Sequence, residues 1–460
     1  MKRISFLFLI FAALMALIFF FSGCGGSELN TATTSAAGTD TTLGPWDATT
    51  TLPPSGATTT LATGGATTTL ASGVTSTTLS GPSDGGTTTT TTGTGTTTSN
   101  TTTTTTTTGS TTTVTFSTTT STVIIASDTY LFENVNHTSS RSGNIYCSIA
   151  IDSTNNVHMS YYNRTYEDLM YFSGRYGSWT GTTIATDGNI GQHTSITVDS
   201  SNNPYVSFYA PVNSALAYAY KVSSVWKYDN IDNPVSGEDV GYHSSIAVDS
   251  LNNLHICYYD WNTGALKYAT NASGNWQSEF VDGLAGGNVG NYCALAIDSH
   301  NLIHISYYDE TNTLLKYATG SFGSWSRETV QIMAIGQTSI AVDSTNTVHI
   351  SYYDSASQIL RHSFGNSGSW TNQIIDNSIK VGLYNSIKAD SSNNLHVAYY
   401  DENNTALKYA HKAGGIWTKT IIDNSGSMGQ DCDIALDSTG NPHFAYYDAT
   451  NNLLKYAYQE

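Results

Sequence analysis

One phrase recurs along the C-terminal two thirds of this chain at nearly constant spacing. It reads VHMSYYN, PYVSFYA, LHICYYD, IHISYYD, VHISYYD, LHVAYYD and PHFAYYD between Val157 and Asp448. An aspartate followed by serine precedes each copy, at intervals of 45 to 50 residues: Asp152, Asp199, Asp249, Asp298, Asp343, Asp390 and Asp437. A period of this length indicates a repeat architecture, in which a unit buries its faces only against neighbouring units.

Each repeat predicts four short β-strands. In the third repeat these are 245–249, 254–259, 266–269 and 276–282, rich in β-branched and aromatic residues and separated by Gly, Asn, Ser and Asp. Four antiparallel strands at a period in the forties are typical of propeller blades. The sequence therefore predicts an all-β propeller.

The two ends of the repeat region fix the number of blades. The seventh repeat stops after its third strand and lacks the tryptophan-led fourth strand of the other six. That strand is present near the N-terminus, because residues 130–136 align with 276–282 and keep the glutamate and the valine in register. Residues 123–460 are thus predicted to form a seven-bladed β-propeller of four-stranded antiparallel blades, closed by an N-terminal strand that completes the last blade.

The N-terminus predicts export. Lys2 and Arg3 precede an apolar run over 4–21, as in a signal peptide, although the run is also long enough for an uncleaved membrane anchor. The following Phe21-Ser22-Gly23-Cys24 resembles the lipobox of bacterial lipoproteins, apart from Phe21 where that family prefers leucine. The resemblance implies a signal peptide over 1–23, acylation of Cys24 and a membrane-anchored lipoprotein at the cell surface or outer membrane.

Residues 24–122 are dominated by threonine, with Ser, Gly, Ala and a few Pro. Almost no large apolar side chains are available here to offset the entropy cost of ordering the backbone. The composition predicts a disordered linker, either an unmodified spacer or an O-glycosylated stalk.

The repeated histidines are predicted to be structural. Six second strands carry one at the same place: His158, His255, His304, His349, His396 and His443. A buried imidazole needs hydrogen-bond partners, for which the loop backbone or the nearby Asp-Ser turn is suitable. Six equivalent side chains in a ring cannot converge on one ligand unless they point at the axis, which argues against a metal site or a catalytic group.

Function is therefore sought where the repeats differ. Six residues before each repeated aspartate, where the chain enters the innermost strand, stand Tyr146, His193, His243, Tyr292, Gln337, Tyr384 and Asp431. The loops after the second strands are expected on the same face, and they begin at Asp260, Asp309, Asp354, Asp401 and Asp448. A channel mouth with these side chains suits a saccharide or a peptide end; alternatively, the same residues only solvate the top of the channel.

Several chemistries are excluded or disfavoured. From residue 123 onward the chain has 31 acidic and 15 basic residues, which argues against a nucleic-acid partner. The loops at 309–313 and 401–405 place oxygens as calcium loops do, but they lack the glycine and the distal glutamate, so Asx-turns are the preferred interpretation. We predict no catalytic residue, metal or cofactor, and a monomer.

Three cysteines share one repeat position, five residues before the repeated aspartate: Cys147, Cys293 and Cys432. Blades one and seven are neighbours in a closed ring, so Cys147 and Cys432 are a candidate disulfide in an oxidising compartment. The alternative is free thiols, because Thr194 and Ser244 occupy this position in other repeats.

The repeated phrase, in the form Ile-Ala-Val-Asp-Ser-X-Asn-Asn-X-His-Ile-Ser-Tyr-Tyr-Asp, resembles bacterial secreted propellers of the NHL-type and sialidase-like (BNR) neighbourhood. The resemblance covers 130–460 and implies the fold. It transfers no sialidase residue, because this chain has seven repeats and no Asp-box. The predicted function is a lipid-anchored propeller that binds a saccharide or protein ligand at the channel mouth. The alternatives are a glycan-active hydrolase or lyase, and a purely structural surface protein.

Overall fold

The computed structural model of the chain describes residues 130–137, 143–232, 239–283, 286–332 and 336–459, together with six short N-terminal strands. The chain forms two compact units, Met1–Ala126 and Ser127–Glu460. The strands of the first unit are β1 (Thr41–Thr42), β2 (Thr59–Ala62), β3 (Ser76–Ser80), β4 (Thr89–Thr92), β5 (Thr101–Thr108) and β6 (Thr111–Thr118). β1 to β4 form one sheet, and β5 pairs with β6.

The predicted signal peptide over 1–23, the acylation site Cys24 and most of the predicted linker over 24–122 lie outside the described residues. These three assignments remain predictions. Among the residues that can be described, none belongs to a helix with the length and apolarity needed to cross a bilayer.

The second unit contains seven four-stranded sheets, which confirms the predicted seven-bladed β-propeller. The innermost strands of blades 1 to 7 are β8 (Ser148–Ile151), β12 (Gln192–Val198), β16 (Val240–Val248), β20 (Val289–Ile297), β24 (Thr338–Val342), β28 (Val381–Ala389) and β32 (Met428–Leu436). The second strands are β9 (Val157–Asn163), β13 (Pro204–Ala210), β17 (Leu254–Asp260), β21 (Ile303–Asp309), β25 (Val348–Asp354), β29 (Leu395–Asp401) and β33 (Pro442–Asp448).

The third strands are β10 (Asp168–Arg175), β14 (Ala215–Val222), β18 (Ala265–Thr270), β22 (Leu314–Ser321), β26 (Ile359–Asn366), β30 (Ala406–Ala413) and β34 (Leu453–Gln459). The outermost strands are β11 (Ser178–Ala185), β15 (Val225–Asp232), β19 (Gln277–Asp282), β23 (Ser324–Ile332), β27 (Ser369–Asp376), β31 (Ile416–Asp423) and β7 (Tyr130–His137). Neighbouring strands within each blade are antiparallel, as short hairpin connections require.

The outermost strand of blade 7 comes from the N-terminal end of the unit. β7 pairs antiparallel with β34 and places Glu133 opposite Tyr456, just as β19 places Glu279 opposite Tyr268 in blade 3. Glu133 then accepts a hydrogen bond from the Trp179 indole of blade 1 at 2.7 Å. One strand thus covers the sheet edge of the last blade and contacts the first.

The core lies between blades rather than within one sheet. At the interface of blades 2 and 3, Leu216 of β14 packs in one buried cluster with Val240, Ile256 and Tyr258 of blade 3. All seven residues of β17 are buried, which explains why the second strands read as nearly continuous apolar and aromatic runs instead of alternating ones. Each blade therefore depends on its neighbours for stability.

The repeated histidines lie in this interior with local partners. Nδ1 of His255 is 2.5 Å from the Tyr268 hydroxyl, and its Nε2 is 3.3 Å from the Asp249 carboxylate. Burial lowers the pKa of His255 in spite of that carboxylate, so the ring is neutral at pH 7. The structural interpretation fits these contacts, and no group of three or more His, Cys, Asp or Glu within the described ranges could hold a metal ion.

Candidate functional site

The innermost strands of the seven blades surround one cavity of 190 Å³, called here the axial cavity. Two sets of side chains line it, one residue of each set from each blade. The first set, the mouth ring, is Tyr146, His193, His243, Tyr292, Gln337, Tyr384 and Asp431. The second set, the inner ring, is Cys147, Thr194, Ser244, Cys293, Thr338, Asn385 and Cys432. The structure thus brings together all seven residues predicted at the entrance to the innermost strands.

An unusual backbone conformation presents the mouth-ring side chains. Six of the seven residues have φ between 49° and 52°, the left-handed region that non-glycine residues seldom occupy, and Gln337 is the exception. In blade 3 the pairing of β16 with β17 shifts register between Tyr242 and Ser245, on either side of His243. A bulge of this kind redirects one side chain out of the sheet alternation, here toward the axis.

A glycine two residues earlier makes room for this bulge. Gly290 has φ 114°, and a Cβ added there would lie 2.6 Å from the backbone of Leu266 in the preceding blade. No other residue fits so close an approach at that φ. The sequence shows the same glycine in front of His193, His243, Tyr384 and Asp431.

The inner ring holds the mouth ring in place from the next blade. The Ser244 hydroxyl donates to the carbonyl oxygen of His193 at 2.9 Å, and the Thr338 hydroxyl donates to that of Tyr292 at 3.1 Å. The Asn385 amide donates to the carbonyl of Gln337 at 3.1 Å. Because these bonds are made within the folded ring, the backbone of the mouth ring is held in place before any ligand arrives.

Four consecutive mouth-ring side chains form an aromatic arc. The ring centroids of Tyr146 and His193, of His193 and His243, and of His243 and Tyr292 are each 4.3 Å apart. Burial lowers the pKa of His243 to about 3. Burial, reinforced by His243, holds the pKa of His193 well below its usual value. Both imidazoles are therefore neutral at pH 7 and offer one donor and one acceptor each.

Tyr146 stays protonated at the same pH, because burial and then the nearby Asp431 carboxylate raise the pKa of its phenol to about 12. The aromatic arc therefore carries no charge at pH 7. Its polar atoms can exchange hydrogen bonds with a ligand on either side.

Asp431 is the one carboxylate among the residues that line the axial cavity. Its Oδ2 accepts hydrogen bonds from the backbone N–H groups of Ile145 at 2.6 Å and Tyr146 at 3.1 Å, which joins blade 7 to blade 1. Burial raises the pKa of Asp431 to about 6, and these two N–H groups together with the nearby Arg164 only partly oppose that rise. The carboxylate is mostly ionised at pH 7.

Four of the five loop aspartates predicted on the face of the mouth pair with the first residue of an innermost strand, but all five are absent from the lining of the axial cavity. They are Asp260, Asp309, Asp354, Asp401 and Asp448. Asp401 is fully buried, and its two carboxylate oxygens accept hydrogen bonds from the backbone and side-chain nitrogens of Asn404, both at 2.9 Å. These carboxylates satisfy the N–H groups of their own loops, as Asx-turns do, and the calcium-like spacing has the same cause.

The candidate disulfide between Cys147 and Cys432 is not formed in the structure, where all four cysteines of the described residues, these two included, are free thiols. The Cys147 thiol donates to the carbonyl of Asp431 at 2.8 Å, and the Cys432 thiol donates to that of Tyr384 at 2.9 Å. Each thiol thus points at the preceding blade's backbone. The side chain that it meets across the interface is an alanine of the second strand, Ala445 or Ala398.

The inner ring was missed as a set. Its signal was present in the sequence, because the residue five before the repeated aspartate is a small or polar residue in every repeat. A hydrogen bond to a neighbouring backbone is the simplest use for such a side chain next to a left-handed residue.

No protein-family model matches the chain, and no curated protein sequence matches it. Among solved structures, it is similar to an ulvan lyase bound to -[GlcA(1-4)Rha3S]-, with TM-score 0.47 and 10% identity over 71% of this chain and 94% of that one. It is also similar to a Hadza microbial sialidase, with TM-score 0.45 and 8% identity over 66% and 73%.

A third solved structure is a mutant of the Aleuria aurantia lectin in complex with Fucα1-6GlcNAc, with TM-score 0.44 and 14% identity over 62% of this chain and 98% of that one. Similarity at this level assigns none of these ligands or activities to the present chain.

Proposed function

We propose that this chain is an exported, lipid-anchored surface protein that binds a neutral saccharide, and that one terminal sugar ring enters the axial cavity. One observation carries the proposal: side chains that differ from repeat to repeat meet at a single cavity, one from each blade. Positions needed only for the fold are expected to repeat, as the buried histidines do. A ring of unlike polar and aromatic groups suits recognition better.

The size of the axial cavity favours a small occupant. Its 190 Å³ is below the about 300–1,000 Å³ of pockets for drug-sized ligands. The aromatic arc offers flat apolar surface with polar edges, which matches a sugar ring with its apolar C–H face and its hydroxyl groups. A single sugar at the end of a longer chain satisfies both conditions.

The charge of the axial cavity favours a neutral sugar over an acidic one. Asp431 is the lining residue that carries charge at pH 7, and no Lys or Arg is among the described residues of the lining. A uronic or sialic acid carboxylate would therefore meet a like charge in a lining without a cation, and the cation that acts on Asp431, Arg164, lies outside that lining. The chain as a whole has a net charge of −18, which adds to this preference.

A glycan lyase is the second candidate, and one observation favours it. A tyrosine stands beside a histidine at two places in the mouth ring, Tyr146 with His193 and Tyr292 with His243. Such pairs supply the acid and the base for proton abstraction. Hydrolysis with two carboxylates is not supported in the same way, because Asp431 has no second carboxylate beside it in the lining.

The lipid anchor rests on the lipobox resemblance around Cys24. A fatty-acylated N-terminal peptide beginning at Cys24, found by mass spectrometry of membrane-fraction protein, would support it. Soluble protein that keeps residues 1–23 would contradict it.

Glycan-array binding by the full chain tests the proposed recognition. We expect a neutral saccharide among the bound glycans. The His243→Ala/Tyr384→Ala double variant should then bind it at least about tenfold more weakly, since a hydrogen-bonded or stacked contact contributes about 1 kcal/mol or more. Tyr176→Ala is the matched control, because this exposed tyrosine lies in the turn between β10 and β11.

Equal binding by the double variant, or no binding to any glycan, would contradict the proposal. The appearance of an ultraviolet-absorbing carbon–carbon double bond during incubation with a polysaccharide would favour the lyase instead.

A further inference from the structure

A polar contact recurs across the blade interfaces close to the axis. In it, an inner-ring side chain meets a residue of the preceding blade's second strand. Ser244 lies 2.9 Å from Ser207, Thr194 lies 2.8 Å from Ser160, and Thr338 lies 2.8 Å from Ser306. The Asn385 amide oxygen accepts from Ser351 at 2.5 Å. The fold therefore holds these two positions within direct bonding reach at four interfaces.

At the interface of blades 3 and 4 both of these positions are cysteine. Cys257 replaces the second-strand serine and Cys293 replaces the inner-ring hydroxyl residue. Both are buried in one cluster, and the neighbouring Cys293 adds to the effect of burial in raising the pKa of the Cys257 thiol. The Cys293 thiol also donates to the carbonyl of His243 at 3.2 Å. No other interface has a cysteine at both positions, because Cys147 and Cys432 each face an alanine.

We propose that Cys257 and Cys293 form a redox-active dithiol that closes to a disulfide between blades 3 and 4. Two S–H bonds break and one S–S bond forms. The two electrons and two protons pass to a small-molecule disulfide, which is reduced to two thiols. A protein exported as proposed above meets such oxidants, and at four other interfaces the equivalent positions hold their side-chain atoms 2.5–2.9 Å apart, which brings the two residues close enough for a short bridge.

The axial cavity determines the order of the steps. Cys293 lines it and Cys257 does not, so a reagent in the cavity reaches Cys293 first. The Cys293 thiolate attacks the reagent and forms a mixed disulfide, and the Cys257 thiolate then displaces the second half of the reagent. Burial raises the pKa of the Cys257 thiol, so the second step should accelerate as the pH rises.

The test uses the folded full chain, with its thiols reduced beforehand, and 2-hydroxyethyl disulfide as the probe, because a disulfide this small suits the axial cavity. Peptide mapping by mass spectrometry should find a linked pair of peptides that contain Cys257 and Cys293, and dithiothreitol should abolish it. The oxidised protein should melt on the order of 5 °C higher than the reduced protein, because the cross-link restricts the unfolded chain.

The chain supplies its own matched control. The double variant Cys257→Ser/Cys293→Ser recreates the Ser207–Ser244 pair of the adjacent interface, so it should fold like the wild type and show no oxidation-dependent change in Tm. Cys147→Ser should leave the 257–293 link unchanged.

Three outcomes would overturn the proposal. The first is mercaptoethanol adducts on single cysteines without the linked pair. The second is a link between Cys147 and Cys432 in its place. The third is a 257–293 link that forms only in denaturant, which would mean that the native spacing does not permit it.

Discussion

Two aspartates, one on an innermost strand and one in the turn that follows it, have opposite environments. Asp431 lies in the mouth ring on β32, and Asp437 follows the end of the same strand. Burial would raise the pKa of both. At Asp437 hydrogen bonds from Thr439 and Asn441 outweigh burial and lower it, whereas at Asp431 burial prevails and raises it to about 6. The hydrogen bonds of the turn thus stabilise the ionised carboxylate of Asp437. At the axis, burial makes the ionised carboxylate of Asp431 energetically costly.

The same contrast separates the two regions throughout the ring. The turn aspartates, such as Asp249, bind their own loop and the histidine of their own blade. The mouth-ring residues depend on the next blade, as His193 depends on Ser244. They also occupy left-handed backbone, which costs of order 1–3 kcal/mol per residue. Contacts that recur in many blades and stay within one blade indicate a role in stability. Residues that vary between blades and occupy an energetically costly conformation at one place are typical of a functional site.

The largest change in stability is expected for a turn aspartate. Asp249→Ala removes the acceptor for the N–H groups of Leu251 and Asn253, for the Asn253 side chain and for His255. We expect a loss of about 3–4 kcal/mol in the free energy of unfolding, since several buried donors lose their partner. Urea denaturation at pH 7 measures it. Saccharide affinity of the folded variant should be unchanged.

Asp199→Ala is the control for the histidine, because blade 2 has Tyr205 in its place, 3.3 Å from Asp199. Its cost should be smaller than that of Asp249→Ala. Weakened saccharide binding in either folded variant would contradict the assignment of the turns to stability and of the axis to binding.

The second effect depends on pH. Asp431 has a folded pKa of about 6, above the ordinary 3.8, so ionisation opposes folding. Below about pH 4 the Asp431 carboxyl is protonated in both the folded and the unfolded state, and the wild type does not carry this cost. The free energy of unfolding then falls by up to about 3 kcal/mol as the pH rises from 4 through 6. Asp431→Asn keeps the oxygen acceptor and removes the titration. Its stability relative to the wild type should therefore rise by that amount between pH 4 and pH 7, measured by urea denaturation at each pH.

Asp437→Asn should show the opposite sign. The folded pKa of Asp437 is lowered, so its contribution is present above the ordinary pKa and is lost as the pH falls through the folded value. The variant should be less stable than the wild type at pH 7, and this deficit should shrink in acid. Parallel pH profiles for the two variants would contradict the assignment of Asp431 to a different environment.

The sequence was sufficient for the blade count and for the mouth ring, because the repeats align with one another and the innermost strand of a propeller always faces the axis. Residues such as Tyr384 and Gln337 could be found by position alone. The hydrogen bonds of Asp401 could not be predicted, because periodicity fixes a residue's position along the blade but not whether its carboxylate faces the channel or its own loop. Backbone donors within the loop decided that.

The same limit of repeat alignment applies to the pairing of the cysteines. Equal repeat positions made Cys147 and Cys432 a candidate pair, but inner-ring side chains such as Thr194 and Ser244 bond to a second-strand side chain of the preceding blade rather than to their own equivalent. That stagger between strands is a property of the packed ring. Once this stagger is known, Cys257 and Cys293 become the candidate disulfide pair. Alignment of the repeats alone could not have identified them, because they occupy different repeat positions.

The smallest expected change in stability lies at the axis, six residues before Asp249. His243→Asn should lower the free energy of unfolding by about 0.5–1.5 kcal/mol. Asparagine tolerates the left-handed φ of 50°, and the ring contacts with His193 and Tyr292 are worth about 0.5–1.5 kcal/mol together with relaxation around them. His243→Val is the matched control, since a β-branched residue at that φ adds strain and should cost more. If His243→Asn destabilised the domain as much as Asp249→Ala while saccharide binding persisted, the mouth ring would be part of the scaffold. A stable variant that no longer binds would place recognition at the axis.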